Sequence, residues 1–95
     1  MELRTVKQRL KACEKDIRRL GIRQLGIFGS YARGDQDQKS DLDLAAEFVE
    51  TPSLLGLIRA ERYLSERIGV KVDLVNRKGL KPRFSKAIRR DLVMV

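Results

Sequence analysis

The sequence has no histidine, no tryptophan, one cysteine and two prolines, and its aromatic residues are three Phe and two Tyr. Without histidine there can be no Ser-His-Asp triad, no Cys-His pair and no HExxH zinc site. Any proton transfer falls to carboxylates, Lys, Tyr or a metal-bound group. A lone Cys13 can form no internal disulfide and lacks the partners of a zinc site, so the expected compartment is the cytoplasm. The first twenty residues are charged every few positions and hold no apolar run of signal-peptide or membrane-span length, which predicts no membrane association. Five aromatics leave little for a base-stacking platform, and direct nucleic-acid binding is not expected. Neither GxxxxGK[ST] nor GxGxxG occurs, which removes P-loop and Rossmann readings.

What is present is charge. The chain has 95 residues with 21 Lys plus Arg against 13 Asp plus Glu, a formal net charge of +8. Residues 1–26 carry 8 basic and 3 acidic side chains and residues 77–95 carry 7 and 1, whereas residues 27–76 carry 6 and 9. The ends are basic and the middle is acidic. Many of these cations are expected on solvated helix faces, but such a surface also suits a polyanion or an acidic partner. A length well below the roughly 150 residues of an average domain predicts one domain over residues 1–95, with no second domain to hold a substrate.

Leu3, Val6, Leu10, Cys13, Ile17 and Leu20 recur at helical spacing before Gly21, predicting a helix over residues 3–20 with Cys13 on its buried stripe. Residues 22–30 read as a strand breaking into a turn at Gly29-Ser30, followed by a polar loop to Ser40. From Asp41, the residues Asp41, Asp43, Ala45 and Glu47 alternate with Leu42, Leu44, Ala46 and Phe48, the pattern of a half-buried strand. Thr51-Pro52 reads as an N-cap and first helical residue, with Leu54, Leu57, Ile58, Leu64 and Ile68 on the buried side as far as Gly69. Residues 70–76 form a third strand, Pro82 opens a basic helix carrying Phe84, Ala87 and Ile88, and residues 92–95 suit an edge strand. The expected class is α/β (α+β): a small mixed β-sheet with helices covering its apolar face and a polar face left open.

Asp41 and Asp43 lie two apart on a strand, so their carboxylates leave one face with Cα atoms about 6–7 Å apart. Two anions held that close repel, and a divalent cation converts the repulsion into a binding site. Oxygen-only ligands suit Mg²⁺, which is commonly held by a few carboxylates plus substrate phosphates. Asp73 joins the pair if the second and third strands are neighbours in register. Three carboxylates fit a two-metal site for phosphoryl or nucleotidyl transfer. Gly29 allows close approach of backbone to an anion, and Ser30 adds a hydroxyl donor. Asp35 and Asp37 belong to a solvated loop.

The segments Phe28-Gly29-Ser30-Tyr31-Ala32-Arg33-Gly34, Ser40-Asp41-Leu42-Asp43-Leu44 and Lys71-Val72-Asp73-Leu74-Val75, with the closing Gly79-Leu80-Lys81-Pro82-Arg83, resemble the minimal branch of the DNA polymerase beta-type nucleotidyltransferase superfamily. The resemblance implies a palm-like nucleotidyltransferase fold, Mg²⁺, with two ions, and ATP as substrate. It also implies the antitoxin half of a HEPN/MNT toxin–antitoxin pair, transferring AMP to a tyrosine of the HEPN toxin, with a hetero-oligomer as the assembly. On this likeness Asp41, Asp43 and Asp73 are the catalytic and metal-binding residues, and Gly29, Ser30 and Arg33 bind the nucleotide, with Arg33 either contacting phosphate or structuring its own loop by a salt bridge. Tyr31 and Lys39 are secondary candidates. Two alternatives stand beside it: a noncatalytic antitoxin acting by toxin binding, and a nucleotidyltransferase acting on a small molecule.

Overall fold

A computed structural model describes residues 1–95 and gives the order α1 (Leu3–Ala12), α2 (Glu14–Arg19), β1 (Ile22–Phe28), α3 (Gly29–Arg33), β2 (Leu42–Phe48), α4 (Leu54–Ile68), β3 (Val72–Asn76), α5 (Pro82–Asp91) and β4 (Val93–Met94). The strands form one mixed sheet in the order β3-β2-β1-β4. β2 runs antiparallel to β1 and parallel to β3, and β4 pairs antiparallel with the free side of β1, as expected of an edge strand. The mixed sheet and its α/β class agree with the sequence reading.

One face of the sheet carries the core. Ile22, Leu25 and Ile27 of β1, Leu42, Leu44 and Ala46 of β2, and Val72 and Leu74 of β3 pack against Val6 and Leu10 of α1, Ile17 of α2 and Ala60, Leu64 and Ile68 of α4. No polar or charged residue is buried there. Polar ties operate at its margin. Ser65 Oγ accepts from the Val72 amide at 3.0 Å and Glu61 Oε2 accepts from the Leu74 amide at 2.9 Å, so α4 occupies outward N–H groups of the β3 edge. Tyr63 donates to Asp16 Oδ2 at 2.7 Å, joining α4 to α2.

Several local expectations are corrected. The predicted helix over residues 3–20 is two helices, because Cys13 leaves helical geometry at φ −110°, ψ 24° and its amide bonds back to Leu10 rather than Arg9. Cys13 is still buried, as predicted, and burial pushes its thiol pKa up. The α4 N-cap is Ser53, not Thr51: its hydroxyl accepts from the Gly56 amide at 3.0 Å. Leu54 and Ile58 were assigned to the buried side of this helix, yet they are 75% and 50% exposed. The observed stripe runs through Leu57, Ala60, Leu64 and Ile68, and Leu54 and Ile58 lie on its flank.

The second face is not left open along its whole length. α5 packs against its β1 side with Ile88 buried, and Ala45 and Gly26 are also buried outside the main core. Gly26 has no Cβ where Leu92 crosses β1; a side chain there would collide with Leu92 Cδ1. The absence of a side chain on β1 thus lets the C-terminal segment close over the sheet.

Candidate functional site

β1 runs directly into α3, without the intervening turn expected from the sequence. The change of direction occurs at Gly29, whose φ of +72° lies in the left-handed region. A Cβ at Gly29 would also overlap Asp43 Oδ2. Two independent constraints therefore demand glycine: the backbone conformation and the close carboxylate. The carboxylate sits there because Phe28 of β1 is the cross-strand partner of Asp43.

Asp43 is in turn the register partner of Asp73 on the parallel strand β3, as the sequence argument required. Asp41 immediately precedes β2. Asp41, Asp43 and Asp73, together with Gly29, Ser30 and Arg33, line one cavity of about 730 Å³. All six predicted site residues are thus brought together. Tyr31 and Lys39 are not among them. Tyr31 is buried in the core at 2% exposure, on the opposite side of α3, and Lys39 lies in the exposed loop, where its amide bonds to Asp37 Oδ1.

Charge in the cavity is unbalanced. Burial pushes the Asp43 carboxyl pKa up, and the neighbouring Asp73 and Asp41 push it further; Arg33 pulls it back. Lys71 reaches Asp41 Oδ2 at 3.9 Å, an exposed and distant pair. Arg33 is held at the rim, donating from Nη1 to Asp91 Oδ2 at 2.9 Å and from Nε to Asp35 Oδ2 at 3.2 Å. Its hydrogen bonds to Asp91 and then to Asp35 push the guanidinium pKa up. Of its two sequence roles, the structuring one is visible here: it ties the segment after α3 to the end of α5.

No three Asp, Glu or Cys side chains are drawn close enough to hold a metal ion by themselves. The donor set nevertheless fits Mg²⁺, because its atoms are all carboxylate oxygens and repulsion from Asp73 and Asp41 already acts on Asp43. Incoming phosphate oxygens would complete such a coordination shell, which is the usual arrangement for this ion.

α5 contributes a part of the site that the sequence argument did not assign. Phe84, Ala87, Ile88 and Asp91 line the cavity with Leu80 and Val75, giving its upper side an apolar surface. The signal was available in the spacing 84, 87, 88, 91, a helical stripe within a basic segment. It was read only as a packing stripe, because nothing local shows which face of the sheet α5 covers.

The nucleotidyltransferase domain family matches residues 6–95. A protein adenylyltransferase, MntA, of Thermococcus cleftensis is 41% identical over 96 aligned residues, covering 100% of this chain and 97% of that protein. A solved structure assigned to a minimal nucleotidyltransferase superposes with a TM-score of 0.85 at 36% identity, covering 100% of this chain and 97% of the other. An MNT antitoxin in complex with the tri-AMPylated HEPN toxin of Shewanella oneidensis gives a TM-score of 0.72 at 16% identity, covering 94% of this chain and 70% of that one, a likeness of fold. The cavity that gathers Gly29, Ser30 and three strand-borne carboxylates is therefore built on a shared scaffold, and the chain belongs to the nucleotidyltransferase family as an enzyme of its minimal branch.

Proposed function

We propose that this chain transfers AMP from ATP to a tyrosine hydroxyl of a partner HEPN toxin and thereby acts as its antitoxin. The observation that carries the reading is the meeting of Asp43 and Asp73 across parallel strands, facing Gly29-Ser30 in one cavity. Asp41 and Asp43 hold the metal, and Asp73 completes the set. Bound Mg²⁺, two ions on this reading, would neutralise charge on the α-phosphate and on the departing pyrophosphate. Gly29 brings backbone close to the triphosphate, and Ser30, whose side chain makes no hydrogen bond within the protein, donates its hydroxyl. Arg33 at the rim adds positive charge on the same side.

The acceptor oxygen attacks the α-phosphorus in line. One O–P bond forms, the bond from the α-phosphorus to the bridging oxygen breaks, and pyrophosphate leaves with the electron pair. Asp73 takes or steers the acceptor's proton. Most of the protein's contribution is positioning and electrostatics.

A partner as acceptor is supported by two features. A relative that covers 97% of its own length with this chain, the MntA protein of Thermococcus cleftensis, is by name a protein adenylyltransferase. In addition, Leu54, Leu55 and Ile58 expose apolar surface on the first turns of α4, the kind of surface that a protein partner covers.

Incubation with Mg²⁺, α-labelled ATP and its proposed HEPN toxin partner is expected to label the toxin, and Asp41→Asn or Asp43→Asn to abolish the label. Neutralisation of the toxin by those variants at the wild-type level would instead favour an antitoxin that acts by binding. Label appearing on a small hydroxylated acceptor and never on the toxin would favour the small-molecule enzyme.

A further inference from the structure

The face that carries the carboxylates has a second cavity at its other end. Along β2, Glu47 lies four residues beyond Asp43 on the same side of the strand, about 13 Å away at the rise of an extended chain. Between them on the same side of β2 lies Ala45, which is fully buried. At the Glu47 end, Arg23, Arg77, Lys78 and Arg89 surround a cavity of about 480 Å³ whose only acidic neighbour is Glu47. These four cations come from three separate places: the start of β1, the turn after β3 and the last part of α5.

None of the four lies within 4 Å of a carboxylate. The five ion pairs of the protein are made by Arg18, Arg19, Arg33 and Lys71, with Arg33 making two. The cations of this cavity are therefore unpaired at ion-pair distance, and Glu47 is the one carboxylate against four cations in the lining. Their placement is also built into the backbone. The β1–β2 register slips between Ile22 and Gln24, putting Arg23 at a bulge, a device that re-aims a side chain. Arg77 extends the β3 edge by donating its amide to Ala46 O at 2.9 Å, and Asn76 Oδ1 fixes the following turn by accepting from the Lys78 amide at 3.1 Å.

We propose that this cavity is a second anion site, distinct from the carboxylate site, and that it takes a small ligand bearing closely spaced phosphate groups. Three guanidiniums and an ammonium around one small space need a ligand that concentrates charge, and Arg forks match phosphate oxygens in pairs. Thr51 and Ser85 add hydroxyls to the same lining, and only two of its residues are hydrophobic. An acidic peptide carries at most one charge per residue and relies on apolar anchors at its interface, which this lining does not supply.

The test is titration calorimetry on the whole chain in EDTA, with inorganic tripolyphosphate, a nonhydrolysable ATP analogue and an oligoglutamate peptide of matched charge as probes. Chelation keeps metal-dependent phosphate binding at the carboxylates out of the measurement. Tripolyphosphate or the analogue is expected to bind, and more tightly than the peptide. The order of the two phosphate ligands tells whether free oligophosphate or a nucleotide supplies the groups. R77Q/R89Q is expected to weaken binding at least tenfold, whereas K7Q/K11Q, which removes the same charge from α1, changes it less than twofold. Equal losses in the two double variants, tighter binding of the peptide, or no binding of either phosphate probe would overturn the proposal. If R77Q/R89Q fails to fold, R23Q at the exposed bulge gives the same readout with a smaller loss, and binding unchanged in R23Q counts against the site.

Discussion

The two faces of the sheet solve opposite problems with the same strands. On one face, Leu42, Leu44, Val72 and Leu74 are nearly inaccessible to water and meet only apolar neighbours. On the other, Asp43 and Asp73 occupy the intervening positions of the same two strands and face each other across the ladder. Period-two alternation places a buried core and a row of anions on opposite sides of one backbone, so stability and chemistry can be altered almost independently. Like-charge repulsion from Asp73 and Asp41 on Asp43 thus stands on the back of a core that buries no polar or charged residue.

Replacing a carboxylate should separate the faces most sharply. Asp43→Asn is expected to lower AMP transfer by about 10³-fold or more, equivalent to about 4 kcal/mol of transition-state stabilisation. The same change removes like-charge repulsion, so the metal-free variant should melt about 2–4 °C higher than wild type, reflecting about 0.5 kcal/mol. Added Mg²⁺ should raise the wild-type melting temperature and leave the variant's unchanged. On the core face, Leu64→Ala should cost about 2–5 kcal/mol in denaturant unfolding, while the fraction still folded retains its specific activity.

Gly29→Ala acts where the faces meet. Its left-handed φ and the overlap with Asp43 should cost about 1–3 kcal/mol of stability. Displacement of the carboxylate should lower transfer on the order of 10²-fold. At the helix start, Ser53→Ala should cost about 1 kcal/mol while Thr51→Ala costs almost nothing, because only Ser53 caps α4.

The smallest effect concerns pH. The Cys13 thiol is pushed up by burial, so its folded-state pKa lies above the unfolded one and the neutral form is favoured in the native protein. Its contribution to stability is complete below the unfolded thiol pKa and fades as pH rises through the folded value. Cys13→Ser should therefore flatten the alkaline limb of the stability curve measured by denaturant unfolding. In the native protein near neutral pH, a thiol reagent should modify Cys13 only at the rate of local opening.

The carboxylate site was legible because its determinants are local. A DxD pair on an alternating strand fixes its own face, and one assumption about strand neighbours adds Asp73. The sheet class and edge strand followed from periodicity in the same way. What sequence could not supply was the partner of each helical stripe. The Phe84, Ala87 and Ile88 stripe is equally compatible with either face of the sheet, and only tertiary packing places it at the carboxylate cavity. Leu54 and Ile58 lie close enough to the helical period to be counted with it, yet the stripe that meets the core runs through Leu57, Ala60, Leu64 and Ile68 and leaves both on its flank. At Cys13 the apolar spacing continues unbroken through a helix break, since α1 and α2 keep their stripes turned toward the same core. The four-cation cavity was hidden for a related reason: Arg23 and Arg89 are far apart in the chain, and the net charge of the two ends does not tell which cations converge.

The central claim is that the carboxylate face performs nucleotidyl transfer to a protein acceptor. Intact-mass measurement of the HEPN toxin after incubation with ATP, Mg²⁺ and the chain tests it most directly. The account predicts increments of whole adenylyl units on the toxin, located at a tyrosine, matched by released pyrophosphate and absent with Asp43→Asn. An unmodified toxin that is nevertheless neutralised, or increments that persist with Asp43→Asn, would contradict it.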